Sequence, residues 1–178
     1  MRASVNGTSA VVRIVGLCIG AAVTYGMLHD LVTAHVCVEY FTIGHDRLIE
    51  SEHPVVLALL WGVIATWYVG AVLAIPLACA ARCGTAPPLL VADLVRPLVT
   101  LLAIMAVSAA LAGLVGWVLA MRQGLRLPGA LGDLVASDRH ARFIAAWWAH
   151  AASYLVGFVG GLTLPVLVWR RRQARVAA

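Results

Sequence analysis

Residues Pro97–Met121 read PLVTLLAIMAVSAALAGLVGWVLAM, a stretch without one ionisable side chain. About 20 apolar residues in a helix cross the hydrocarbon of a bilayer, so this run can span a membrane by itself. Three more apolar runs lie at about 11–30, 55–81 and 143–169. Of the 178 residues, 62% are hydrophobic and 12% charged, where a soluble domain has about 45–50% and about 25%. One water-soluble core of this size cannot bury that excess, so lipid must cover it. The sequence predicts an all-α fold, a four-transmembrane-helix bundle forming a single integral membrane domain over residues 1–178.

The segments between the runs read as helix ends. Gly44 is a natural stop for the first helix, and Pro54 suits the first turn of the second. If the first helix runs unbroken it projects its polar end out of the hydrocarbon; otherwise it bends near Gly26. Gly84, Pro87 and Pro88 break the chain after the second run, and Pro128, Gly129 and Gly132 after the third. Asp93 and Arg96, at i, i+3 spacing, are expected to pair. Ala109, Gly113 and Gly116, and later Gly157, Gly160 and Gly161, offer small-residue faces for close helix packing. Arg2 and Arg13 precede the first run as in a signal peptide, but no small-x-small cleavage pattern follows and more spans do. It reads as a retained first span.

All thirteen basic residues are Arg, and the net charge is +5. They gather at the ends of the runs, where topology signals and headgroup contacts lie, and do not form a nucleic-acid footprint. Four spans put both termini on one side. Arg2, Arg13, Arg82, Arg96 and the four Arg of the C-terminal tail then oppose Arg47, Arg122, Arg126, Arg139 and Arg142 across the bilayer. The positive-inside rule places both termini in the cytoplasm.

The chemistry concentrates in Tyr25–His45, YGMLHDLVTAHVCVEYFTIGH, which carries His29, Asp30, His35, Glu39 and His45. Ionisable groups at a membrane boundary are costly and, where kept, usually bind or react with something. The topology also sorts all six His to one face. His29, His35 and His45 follow the first span, His53 precedes the second, His140 precedes the fourth, and His150 lies about two turns inside it. His29 and His150 therefore reach similar depth. On a helix Tyr25, His29 and Thr33 share a face, as do His35 and Glu39, and as do His150, Ser153 and Tyr154.

Imidazoles and carboxylates at bundle interfaces are the usual way to hold divalent Fe, Zn or Mn. The candidate metal ligands are His29, His35, Glu39 and His150, with Asp30 as a ligand or an orienting group. Asp30, Glu39 and Tyr154 are the candidate catalytic groups, able to move protons. His45, His53 and His140 fall in loops and are expected to be solvated. The alternative for His29 and His150 is bis-imidazole ligation of haem b, in a slot made by Gly26, Trp147, Trp148 and Gly157. Asp30 is an awkward neighbour for so apolar a slot. Cys18, Cys37, Cys79 and Cys83 contain no Cys-x-x-Cys pair and read as small apolar residues.

The Tyr25–His45 stretch, with Trp61–Trp67 (WGVIATW) and Trp148–Tyr154 (WAHAASY), resembles a group of small, uncharacterised bacterial four-span membrane proteins. The resemblance covers most of the chain. It implies a multi-pass protein of a bacterial inner membrane and carries no activity with it. From the residues themselves, the expected function is that of a metal-dependent membrane enzyme acting on a lipophilic substrate at the outer-leaflet side. The alternative is a non-catalytic membrane subunit, one that docks a partner subunit, forms a homo-oligomer or carries haem for electron transfer. A channel is disfavoured, because no mid-bilayer charges line a pathway.

Overall fold

The computed structural model describes the backbone of residues 2–177 and the side chains of residues 8–175. The side chain of Arg2, counted above for topology, lies outside the described residues. In chain order the elements are α1 (Arg2–Val36), α2 (Glu39–Thr42), α3 (Pro54–Ile64), α4 (Trp67–Arg82), α5 (Ala92–Gln123), α6 (Ala130–Leu134), a 3-10 turn (Ser137–Arg139) and α7 (His140–Ala177). No strand occurs among the described residues. Four segments are long and apolar enough to cross a membrane: Thr8–Val36, Pro54–Arg82, Ala92–Gln123 and Ser137–Arg175. The protein is a multi-pass, all-α membrane bundle. α1 and α7 are longer than the spans expected from sequence. At 1.5 Å per residue each extends over about 50 Å, well beyond the ~30 Å hydrocarbon.

Two pairings build the bundle. α5 packs along α7, and α1 packs along α3 and α4, with α4 also meeting α7. The α1 pairing is a close approach of backbones. A Cβ on Gly62 would stand 2.5 Å from the Met27 nitrogen, and one on Gly26 would stand 2.7 Å from the Gly62 carbonyl oxygen. α1 runs unbroken through Gly26, so this glycine serves contact rather than a bend. In the α5–α7 pair, a Cβ on Gly113 would meet the Ala145 carbonyl at 3.1 Å, and one on Gly116 the Trp148 ring at 3.0 Å. Small residues let helices approach closely where lipid supplies no hydrophobic drive between them.

The second span is not one helix. It breaks at Ala65–Thr66, between α3 and α4. The Thr66 hydroxyl donates to the Gly62 carbonyl four residues back, a competitor for the helical ladder. The Thr66 N–H turns to the Val63 carbonyl instead, at 3.3 Å. The break falls where α1 presses Gly26 against Gly62 and Thr66.

Several polar residues have partners the sequence reading did not assign. Asp93 pairs with Arg175 at 3.5 Å and accepts from the Leu90 N–H at 3.0 Å. The expected Asp93–Arg96 pair is replaced, and Arg96 is exposed. His140 is buried, not solvated. It donates to the Val135 carbonyl at 2.9 Å and accepts from the Leu127 N–H at 3.4 Å. His45 donates to the Tyr40 carbonyl at 2.8 Å and lies against Phe41 and Trp61. His53 is exposed, as expected for a loop residue.

The largest departure is Arg172. Read from sequence it belongs to the C-terminal Arg tail, Arg170–Arg175, a topology anchor at the lipid head groups; in the structure it is 1% exposed. Its guanidinium donates to the carbonyls of Ala80 (3.1 Å), Cys83 (2.6 Å), Pro87 (2.9 Å) and Ala86. These carbonyls end α4 and form the loop after it, where no following turn can satisfy them.

Candidate metal centre

α1 reaches the polar end of the bundle with His29 and Asp30 turned toward α7. Thr33, one turn further on, folds its hydroxyl back onto the His29 and Asp30 carbonyls at 3.1 and 3.4 Å. One turn before, the Tyr25 hydroxyl bonds the Ser153 hydroxyl at 2.9 Å. That bond fixes the register of α1 against α7, and the register brings His150 to Asp30. The predicted Tyr25, His29, Thr33 face meets the predicted His150, Ser153, Tyr154 face through His150 and Ser153, while Tyr154 is exposed.

His150 is buried, and both of its nitrogens point at acceptors. Nδ1–H donates to the Ala146 carbonyl at 2.8 Å. Nε2 lies 3.1 Å from Asp30 Oδ1, also buried. Because Nδ1 keeps its own hydrogen on Ala146, Nε2 is the nitrogen presented to Asp30, and a proton bridges the pair. The His29 ring stands edge-on to His150, with centroids 4.4 Å apart, and lies over Tyr25 at 5.7 Å. One nitrogen from each imidazole and one Asp30 oxygen lie within 4.8 Å of one another. His29 Nε2 is buried and has no hydrogen-bond partner among the described residues.

A roof closes the site. The chain leaves α1 at Val36, turns, and lays α2 over α7. Tyr40 comes within 4.4 Å of the His150 ring and Phe41 within 5.7 Å, and Phe143 abuts Tyr40 at 5.4 Å. Burial, with Tyr154 and Asp30 nearby, raises the Tyr40 hydroxyl above its usual range. Sequence reading missed this roof, because Tyr40 and Phe41 look like ordinary interfacial aromatics until α2 is folded back.

The other sequence candidates fall around this centre. Tyr154 meets the His150 ring edge, centroids 5.9 Å apart, but is itself exposed. Glu39 is not brought to the imidazoles. It pairs with Arg139 at 3.5 Å and accepts from the Cys37 thiol at 3.3 Å, tying the roof to the 3-10 turn. Burial, and next the bond to Glu39, push the Cys37 thiol up to about 12. His35 is exposed and donates to the Leu31 carbonyl at 2.7 Å. His35 and Glu39 were expected to share a helical face. α1 ends at Val36 between them, so the i, i+4 spacing does not apply.

Could the three residues seat a metal? Metal bonds to His nitrogen and carboxylate oxygen are about 2.0–2.2 Å long. Two such bonds at a near-right angle put their ligand atoms about 3 Å apart by trigonometry on those lengths, and the Asp30–His150 separation is 3.1 Å. The Ala146 carbonyl holds the His150 tautomer that leaves Nε2 toward the site, as outer partners of metal-bound His do. Two imidazoles and one carboxylate are the ligand types of a facial set, and with the three atoms within 4.8 Å of one another, His29 would close on the Asp30–His150 pair to complete it. A porphyrin between His29 and His150 fits less well, since the rings touch edge-on with no slot between them.

No family model, no curated protein and no solved structure matches this chain.

Proposed function

We propose that this membrane protein holds one divalent transition metal on His29, Asp30 and His150 and acts with it on a lipophilic substrate at the membrane face where the six His gather. The observation that carries this reading is His29 Nε2, buried without a partner beside a hydrogen-bonded His–Asp pair. A purely structural interhelical pin accounts for Asp30 and His150. It leaves His29 with an uncompensated polar atom, a cost of about 1–3 kcal/mol. A third ligand role removes that cost.

When bound, such a metal activates water or oxygen. The chain's own groups supply the surroundings. Tyr40, Phe41 and Phe143 exclude water from above, and Asp30 and His150 hold a proton that metal binding displaces. Tyr154, at the edge of His150, is the hydroxyl placed to exchange a proton with a substrate arriving from lipid. The membrane is proposed to be a bacterial inner membrane with both termini cytoplasmic, on the Arg distribution and the resemblance given above. The site then faces the outer leaflet.

The test is elemental analysis with an ultraviolet–visible spectrum on detergent-purified protein, after reconstitution with Fe, Zn or Mn. About one metal per chain is expected, without a Soret band. His29→Ala and His150→Ala should insert, purify as a single species and lose the metal. Full occupancy in both variants overturns the site. A Soret band in the wild type moves His29 and His150 to haem.

A further inference from the structure

Beside the centre, a groove of about 700 Å³ runs between α1, α5 and α7. That volume lies within the range of about 300–1,000 Å³ typical of small-ligand pockets. Its walls are apolar, with Leu28 and Val32 on α1 and Ala106, Ala110 and Leu114 on α5. Tyr25, Thr33 and His35 also line it, each with a hydrogen bond of its own; two further polar residues stand apart. At the outer end Arg142 lines the groove, exposed, with no ion-pair or hydrogen-bond partner among the described residues, and no acidic side chain lines the groove. Deeper in, the wall includes His29, whose Nε2 is buried and unpartnered.

We propose that this groove seats a single-chain anionic amphiphile drawn from the bilayer, with its head group on Arg142 and its chain running inward past His29. The charge argues for the head group. A lone guanidinium at the end of an apolar slot is complementary to a carboxylate or phosphate carried on a hydrocarbon chain, and it repels a cationic one. The helix register argues for the chain. The His29 ring stands against His150, and His150 lies eight residues inward of Arg142 on α7, about 12 Å at 1.5 Å per residue. A head group on Arg142 therefore brings the interior of the chain, not the head group, to His29. The substrate class so named rests on the metal reading; the binding itself does not.

The test separates the two. Full-length protein, stripped of metal by a chelator, is placed in phosphatidylcholine nanodiscs, and retention of labelled oleate is compared with that of oleyl alcohol. Oleate is expected to be held at least about tenfold more tightly, the scale of one charge-assisted contact. Arg142→Gln should erase the preference and Arg142→Lys should keep part of it. Ala110→Trp, at an exposed groove position, should fill the slot and reduce retention of both ligands. Arg47→Gln, in a loop and already paired with Glu50 and Glu52, should change nothing. Helical content and gel-filtration profile show that each variant is folded. Equal retention of the two ligands by the wild type, or an undiminished preference in Arg142→Gln, overturns the proposal. Protein that takes metal but shows no oleate preference loses the groove and keeps the metal centre. Protein that prefers oleate but takes no metal loses the metal centre and keeps the groove.

Discussion

The two ends of the bundle each bury ionisable side chains, and they do it differently. At the end of α4, Arg172 is sealed in by four backbone carbonyls. No carboxylate pairs with it among the described residues, yet four of its five N–H donors are taken up and the loose end of a helix is capped. At the other end, His29, Asp30 and His150 satisfy one another only in part. The Asp30–His150 bond is complete, and His29 Nε2 is left over. The Arg172 arrangement has no opening for a further ligand. At the His29 arrangement, Nε2 has no partner among the described residues, and the ring lines a groove between α1, α5 and α7. Buried polar groups are therefore treated differently at the two ends: capped by carbonyls at one, and at the other left with one nitrogen unpaired, which the proposed metal would take up.

Mutations can break or sharpen that contrast. Arg172→Met should have the largest effect. It strands several carbonyls at once and is expected to cost about 3–5 kcal/mol, the scale of breaking a buried charged network. Denaturant unfolding in detergent measures it, and the metal content of the remaining folded protein should not change. A loss below about 1 kcal/mol would make the guanidinium cage incidental. Gly62→Val comes next. Its side chain would be driven into the Met27 backbone, for about 1–3 kcal/mol, and by prising α1 from α3 it should also weaken the metal centre. Normal stability in this variant would show that the close approach can relax.

Asp30→Asn keeps the shape and a hydrogen bond to His150 but removes the negative charge. It should lower metal affinity at least about tenfold, the lower end of what even outer partners contribute, as read by competition with a chelator of known affinity. Unchanged affinity would remove Asp30 from the ligand set. His29→Leu should have the smallest effect on stability. Replacing an unpartnered polar ring by an apolar side chain is expected to be near neutral, within about 1 kcal/mol, although metal is lost. If His29→Leu destabilises the protein as Arg172→Met does, His29 is a structural residue and the contrast between the two ends fails.

Much of this was legible before folding. Runs such as Pro97–Met121 fix four apolar helices by length alone. Even spacing of polar breaks then sorts the His to one face, so His29, Asp30 and His150 could be named from depth and helical spacing. What failed were inferences about direction and partner. His35 and Glu39 were grouped by an i, i+4 rule that holds only if the helix continues, and it stops at Val36. His45 and His140 were read as loop residues in water, but the loops fold back over the bundle end. Arg172 reads with its neighbours as part of the C-terminal Arg tail that anchors the topology; Arg170 and Arg171 are exposed, but Arg172 is buried. The 3.6-residue period sets the three consecutive Arg about 100° apart, and only the rotation of α7 against α4 decides that the last of them, Arg172, turns inward.

By itself the sequence determined the solvent of this protein and the depth of its polar residues, because hydropathy and length are summed locally along a helix. It also determined the small-residue positions at which helices can touch. Only the tertiary structure decided which helices meet and in which rotation. The Tyr25–Ser153 bond and the Gly26–Gly62 contact set the register between segments far apart in sequence. That register joins Asp30 to His150, leaves His29 over, and opens a groove from lipid toward it. Pairing between distant helices depends on side-chain shape and hydrogen bonds across an interface, and no local sum over the sequence contains those.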